Sequence, residues 1–328
     1  MSDELFSRRE SVKDILKTIE KKLKNGLFEE SMDCFDRIMS MDFEYPNLYE
    51  NIYCVKFWIN RTEKIKSLKE SDITEYCTFL DLSFKRFLMF IKDKQFNIEL
   101  LSIKAIHYFV YNEIIKTIIE KNNNNIQNKE ELYLIANAFI EFDELSKALQ
   151  AYRYLNDLEP YNSKILSNIA QLNHLLGDEK KAKMYIREAL FYDPLSIEFE
   201  NITIEVIRDI RDIIINRNIH NSSNEEIILW MSAYGELMNL LDIKKPLNEE
   251  DEIHLRKIIS KLESDYRKFK LREATAPRLL ASLAYLTTTL IMRNNKEDMA
   301  EIRMLGSKMA SIDKELLQYY IKILNDKG

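Results

Sequence analysis

Three groups of residues have types and spacing that invite chemistry. Glu249-Glu250-Asp251-Glu252 set four carboxylates in a row, a charge density that attracts divalent cations. Asp209 and Asp212 form a second acidic pair, of the kind a helical scaffold could use for proton transfer. Cys34, Cys54 and Cys77 supply thiols for redox or metal work. Each has a plainer reading. An acidic run that opens a helix is stabilised by the positive helix end. Asp209 and Asp212 alternate with Arg208 and Arg211, which reads as solvated helix charge. The cysteines are odd in number, lack CxxC spacing and fall in helical patterns, so they read as reduced, buried thiols. There is no glycine-rich phosphate loop, no HExxH, no GxSxG and no paired Cys/His set, and the 4 histidines are widely separated. No catalytic residue, metal site or cofactor is expected, and the chain does not read as an enzyme.

Composition narrows the partners. The 328 residues carry a formal net charge of -6, with basic and acidic residues interspersed almost throughout. That balance argues against nucleic acid, because neutralising phosphates needs a concentrated basic surface. No apolar run is long enough to cross a bilayer, since Phe87-Leu88-Met89-Phe90-Ile91 is bounded by Arg86 and Lys92. The N-terminus lacks the apolar core of a signal peptide, so no membrane partner and a cytoplasmic location are expected.

The elements that must position any site are helices. With 5 Gly, 5 Pro and hardly any alternating apolar/polar segment, there is little material for a sheet. A first helix is expected from Ser7, where Ser7 and Glu10 have capping-box spacing, with Val12, Ile15, Leu16, Ile19 and Leu23 on one stripe. Asn25-Gly26 turns the chain into a second helix marked by Phe28, Ser31, Phe35, Ile38 and Met39. Pro46 precedes a third with Ile52, Val55 and Ile59 inward. Asp72 and Glu75 suggest another cap, followed by an apolar stripe from Ile73 to Ile91. The stretch Ile98–Glu120 leaves almost no polar face. Such a helix is either sandwiched between layers or covered by a second subunit, and internal burial is the commoner fate. His107 within it reads as a hydrogen-bonded core histidine. The asparagine run at 122–128 looks like a solvated loop, in keeping with the Ile, Asn and Lys bias of a low-GC genome.

Shifting the chain by 34 residues superposes Ala170 on Ala136, Ile169 on Ile135, Leu166 on Leu132, Gly177 on Asp143, Ala182 on Ala148 and Pro194 on Pro160. This period, with its order of small, turn and Pro positions, resembles the tetratricopeptide repeat, a helix-turn-helix unit. The resemblance covers 129–196, with faint copies at 12–43 (Gly26, Ser31, Phe35) and 281–312 (Ala284, Thr288, Ala300). Ala170 and Ala182 are small enough for close helix approach, and Gly177 can take the left-handed conformation that stops a helix, as Asp143 can at modest cost. Pro160 and Pro194 end second helices. Asn173 stands where the family has an aromatic, which implies looser or more polar packing. A next copy over Ile197–Ile214 keeps a helix without the landmarks. Further helices are expected near Asn224–Leu241, Asn248–Phe269, Ala276–Met292, Lys296–Ser311 and Asp313–Leu324.

The resemblance implies an all-α fold, a right-handed superhelical stack of helix-turn-helix repeats (an α-solenoid). Its regions are an N-terminal helical region of degenerate hairpins at 1–121, the loop at 122–128, two clear units at 129–196, and a C-terminal helical region at 197–328. It also implies a concave surface, lined by first helices, that receives an extended peptide. Carried over, that surface presents Glu130, Tyr133, Asn137, Ile140 and Glu141, then Lys164, Ser167, Asn168, Gln171 and His174. Tyr133, Asn137, Ile140, Lys164, Asn168, Gln171 and His174 are the candidate partner-binding residues. Asn137 and Asn168 stand out, because a carboxamide can donate to and accept from a peptide backbone. The plainer reading is that both suit an exposed helix face. The carboxylate clamp of the co-chaperone members is not implied: its basic positions hold Tyr133, Glu198 and Ile202 here.

The resulting expectation is a non-catalytic scaffold that binds a protein or peptide segment in a concave helical groove. One alternative is a homo-oligomeric structural protein, self-assembling through the apolar helix 98–119 or the stretch 279–292. The other is a peptide-responsive regulator.

Overall fold

The computed structural model describes residues 11–123, 125–217, 223–241 and 247–326. All regular structure among them is helical. The chain divides into two compact units, Met1–Ala151 and Tyr152–Gly328. The first contains α1 (Val12–Lys24), α2 (Phe28–Met41), α3 (Leu48–Ile59), α4 (Thr62–Ser71), α5 (Ile73–Asp93), α6 (Leu101–Asn122) and α7 (Lys129–Glu141). The division falls inside α8 (Leu145–Leu158), not at the asparagine run. The second unit contains α9 (Ser163–Leu175), α10 (Glu179–Tyr192), α11 (Glu205–Asn216), α12 (Asn224–Leu237), α13 (Glu249–Tyr266), α14 (Arg272–Arg293), α15 (Met299–Ile312) and α16 (Lys314–Asp326). The segment 129–196 is therefore shared between the two.

Short polar side chains start these helices by accepting from orphan N–H groups of the first turn. Asp72 accepts from Thr74 and Glu75 at 2.9 and 3.0 Å, as its spacing predicts. Asn128 caps α7 through the Glu130 N–H at 2.9 Å, Asn162 caps α9 through the Lys164 N–H at 3.1 Å, and Asn248 caps α13 through the Asp251 N–H at 2.8 Å. Ser7 and Glu10 lie outside the described residues. Within them it is Ser11 that caps α1, accepting from the Asp14 N–H at 3.2 Å.

One turn geometry recurs at helix ends. After α9, the Gly177 N–H donates to His174 and the Asp178 N–H to Asn173, at 2.9 and 2.8 Å, with Gly177 at φ +80°. After α7, 34 residues earlier, the Asp143 N–H donates to Ile140 and the Glu144 N–H to Phe139, both at 2.9 Å, with Asp143 at φ +59°. The same two bonds close α1 at Gly26, where φ is +71°. A left-handed residue at this position satisfies the last carbonyls of the helix. The shared turn explains why Gly and Asp occupy equivalent places.

In the first unit, α6 packs against α1, α3, α5 and α7. Ala105, Ile106, Phe109, Val110, Tyr111 and Ile114 are buried over most of its circumference, the sandwiched fate that its composition predicts. Burying each Ile, Val or Phe among these contributes about 1.5–3 kcal/mol. The helix begins at Leu101, not Ile98, which is exposed. Contact of α6 with α1 skips four intervening helices, which nearest-neighbour stacking does not produce. Glu131, wholly buried at 0 % exposure, ties α5, α6 and α7 together. It accepts from Thr74 Oγ1 at 2.6 Å, Lys121 Nζ at 2.5 Å and Asn122 Nδ2 at 2.7 Å. Asn122, read as plain loop, thus helps to satisfy a core charge.

In the second unit, α9 and α10 form a tight hairpin with Ala170 and Ala182 fully buried between them. Ser163 Oγ donates to the Ala189 carbonyl and accepts from the Asp193 N–H, both at 2.8 Å, pinning the end of α10 to the start of α9. Asn173 is buried rather than loosely packed, its amide donating to the Ile169 carbonyl at 2.7 Å. α14 packs against α10, α12, α13 and α15, burying Leu279, Leu280, Leu283, Leu286 and Leu290. The apolar residues behind the self-assembly expectation are therefore largely covered within their own units. The helix expected over Ile197–Ile214 starts only at Glu205; before it come two 3₁₀ turns at Pro194–Ser196 and Phe199–Asn201 with extended residues between. Pro194 and the β-branched Ile197, Ile202, Thr203 and Ile204 favour extended backbone there.

Candidate functional site

The candidate residues on α7 line up along its outer face in the first unit. Tyr133, Asn137 and Ile140 are half-buried, while Glu130 and Glu141 are exposed. Glu141 is held by His107 Nε2 at 2.9 Å, and the His107 ring packs edge-on against Phe84, Tyr111 and Phe142. His107 is thus a half-buried, hydrogen-bonded residue at the edge of the core.

The α9 face, in the second unit, is already engaged by the chain itself. The connector 197–204 runs beside it, and Gln171 grips that connector with both ends of its carboxamide. Its Nε2 donates to Thr203 Oγ1 at 2.7 Å and its Oε1 accepts from the Thr203 N–H at 2.9 Å. Two turns earlier on α9, Lys164 Nζ donates to Glu198 at 2.6 Å. Asn168 donates Nδ2 to the Lys164 carbonyl at 2.8 Å, and its Oδ1 accepts no bond among the described residues. His174 bonds to Glu179 at 2.6 Å. Ser167, assigned to the surface, is buried and donates to the Lys164 carbonyl at 3.0 Å. The register that would give Glu198 and Ile202 clamp positions does not hold, because both lie in the non-helical connector.

The other chemical candidates resolve into structure. Burial pushes the Cys54 and Cys77 thiols up to about 12, which suppresses thiolate chemistry. Asp209, Asp212, Arg208 and Arg211 are all exposed. Of the acidic run, Glu252 is buried and pairs with Arg256 and Arg293. No cluster of three or more potential metal ligands occurs among the described residues.

No family model, no curated protein and no solved structure matches the chain. Function must be read from its own geometry.

A cavity of about 140 Å³ with mixed polar and apolar walls opens in the second unit between α10, α12, α13 and α14. In its wall Arg187 and Glu236 form a bidentate pair, with Nη2 donating to Oε2 at 3.1 Å and Nε to Oε1. The guanidinium also stacks on Tyr285, 3.7 Å from the ring centre. Burial opposes the charge on Arg187, but Glu236 overcomes this and raises its pKa further. Glu188, one residue on, has no such partner. Among the described residues nothing donates a hydrogen bond to its carboxylate and no cation pairs with it. Burial, aided by Asp251 and opposed by Arg187, lifts its pKa above the ordinary glutamate value. Tyr161, also in the lining, stacks on His254 at 5.1 Å and meets Tyr192 at 4.7 Å with the rings tilted by 49°. Tyr161 holds φ at +70°, an uncommon conformation for a bulky side chain. No motif marks these residues. The one visible signal is Glu236, the single charge in the apolar run Ile227–Leu241, which asks for a buried partner.

Proposed function

We propose that the chain is a non-catalytic, tetratricopeptide-like helical scaffold that binds an extended segment of a partner protein along the exposed faces of its first helices. The observation that carries this reading is the Gln171–Thr203 pair, in which a carboxamide on α9 holds the backbone of an extended segment. Its bond to the Thr203 N–H is the backbone contact a peptide would need, and the second bond, to the Thr203 hydroxyl, adds a side-chain contact. Asn168, one turn before Gln171 on α9, offers an unused acceptor of the same kind. The turn shared by α7 and α9 at a spacing of 34 residues supports the repeat reading. A rigid helical receptor loses little conformational entropy on binding, so modest polar contacts suffice.

The test compares partner capture by the wild type with Asn137→Ala/Asn168→Ala, followed by mass spectrometry. The double variant is expected to lose the captured segment while its melting temperature stays within a few degrees. Undiminished capture would remove these faces as the binding surface.

A further inference from the structure

The cavity of the second unit has walls and charges that select a ligand class. Arg187 is neutralised by Glu236, so the charge left facing the space is that of Glu188 and Asp251, both negative. Tyr161 and Tyr192 present aromatic surface around these carboxylates, His254 backs Tyr161, and the Tyr285 ring is taken by Arg187. Aromatic faces attract cations, by about 0.5–2 kcal/mol each depending on desolvation. An anion would meet two carboxylates, and a neutral apolar group would leave Glu188 half-buried without a donor.

We propose that this cavity binds a small organic cation, an ammonium or guanidinium group on a short alkyl chain, with Glu188 as its counter-ion and Tyr161 as its cover. The size fits: about 140 Å³ falls below the roughly 300–1,000 Å³ of sites for drug-sized ligands. It suits one head group with a few methylenes. Tyr161 adds an independent sign. A tyrosine held at positive φ costs free energy, and such strain concentrates where a side chain must be aimed at a ligand. Its ring belongs to the cavity lining, and 51 % of its surface is exposed. The raised pKa of Glu188 agrees, since a buried carboxylate lacking a cation resists ionisation. The inference stands apart from the peptide-binding reading, which concerns α7 and α9, neither of which lines the cavity.

The same cation could arrive free or as a lysine side chain of a protein. Calorimetry on the full chain separates these, with agmatine and N-acetyl-lysine methylamide as probes and 1-pentanol and pentanoate as neutral and anionic controls. At least one cation is expected to bind and neither control to do so. Glu188→Gln should weaken binding at least tenfold, and Tyr161→Ala three- to tenfold, while Arg208→Ala, outside the cavity, leaves it unchanged. Binding of agmatine alone assigns a free amine; binding of the lysine derivative alone assigns a side chain. Absence of binding by both cations, or undiminished binding by a Glu188→Gln protein with wild-type circular dichroism, overturns the proposal.

Discussion

Glu131 in the first unit and Glu188 in the second are both carboxylates withdrawn from water, yet their surroundings are opposite. Glu131 is wholly buried and accepts from three side chains on two helices. Glu188 is half-buried and accepts from none among the described residues. Burial opposes ionisation in both. At Glu131 the donors of Lys121, Thr74 and Asn122 win, and its pKa lies below the ordinary value. At Glu188 burial wins, and its pKa lies above it. A closed polar node holds a fold together; an open one costs stability and is tolerated where something else completes it. The Arg187–Glu236 pair, beside Glu188, is closed in the same sense as Glu131.

The sharpest way to break the comparison is to open a closed node. Glu236→Ala leaves the Arg187 guanidinium buried and unpaired, and should lower unfolding free energy by about 3–5 kcal/mol in urea titrations. Glu131→Ala strands three donors, one of them charged but partly exposed, and should cost about 2–4 kcal/mol. The two carboxylates should also differ in the sign of their pH response. Glu131, with a lowered pKa, contributes stability above the ordinary glutamate value, and this is lost as pH falls through its folded value. Glu188, with a raised pKa, favours the folded state at low pH, and this is lost as pH rises from the ordinary value through its folded one. Unfolding followed from pH 3 to 7 in Glu131→Gln and Glu188→Gln should therefore remove slopes of opposite sign. A smaller effect belongs to Gln171→Ala, about 1 kcal/mol at most, read as faster amide hydrogen exchange over 198–204 with the rest unchanged.

How much of this was legible in the chain follows from the range of each interaction. Asp72 and Asn248 act on residues two or three positions away, so their caps were open to sequence reading, as were the turns at Gly26, Asp143 and Gly177. The all-round apolar composition of α6 was enough to place it at a centre, because no single solvent face could be assigned to it. The connector departs from the helix that the 34-residue period predicts past Pro194, because β-branched residues follow there. Gln171 meets Thr203 across 32 residues, and Arg187 meets Glu236 across 49. Neither pairing leaves a local pattern beyond the lone charge of Glu236 in its apolar run. The cavity was invisible for the same reason, since Tyr161, Glu188, Asp251 and Tyr285 belong to separate segments and become a site only when α10, α13 and α14 pack. Seven residues assigned to a binding face were placed by resemblance, and Gln171 and Lys164 among them hold the protein's own chain.

The most direct measurement is a paired urea unfolding of Glu131→Gln and Glu188→Gln at pH 7. The expected result is a clear loss of stability in the first and none, or a gain, in the second. Equal destabilisation in both would contradict the distinction between a carboxylate that builds the fold and one that waits for a ligand.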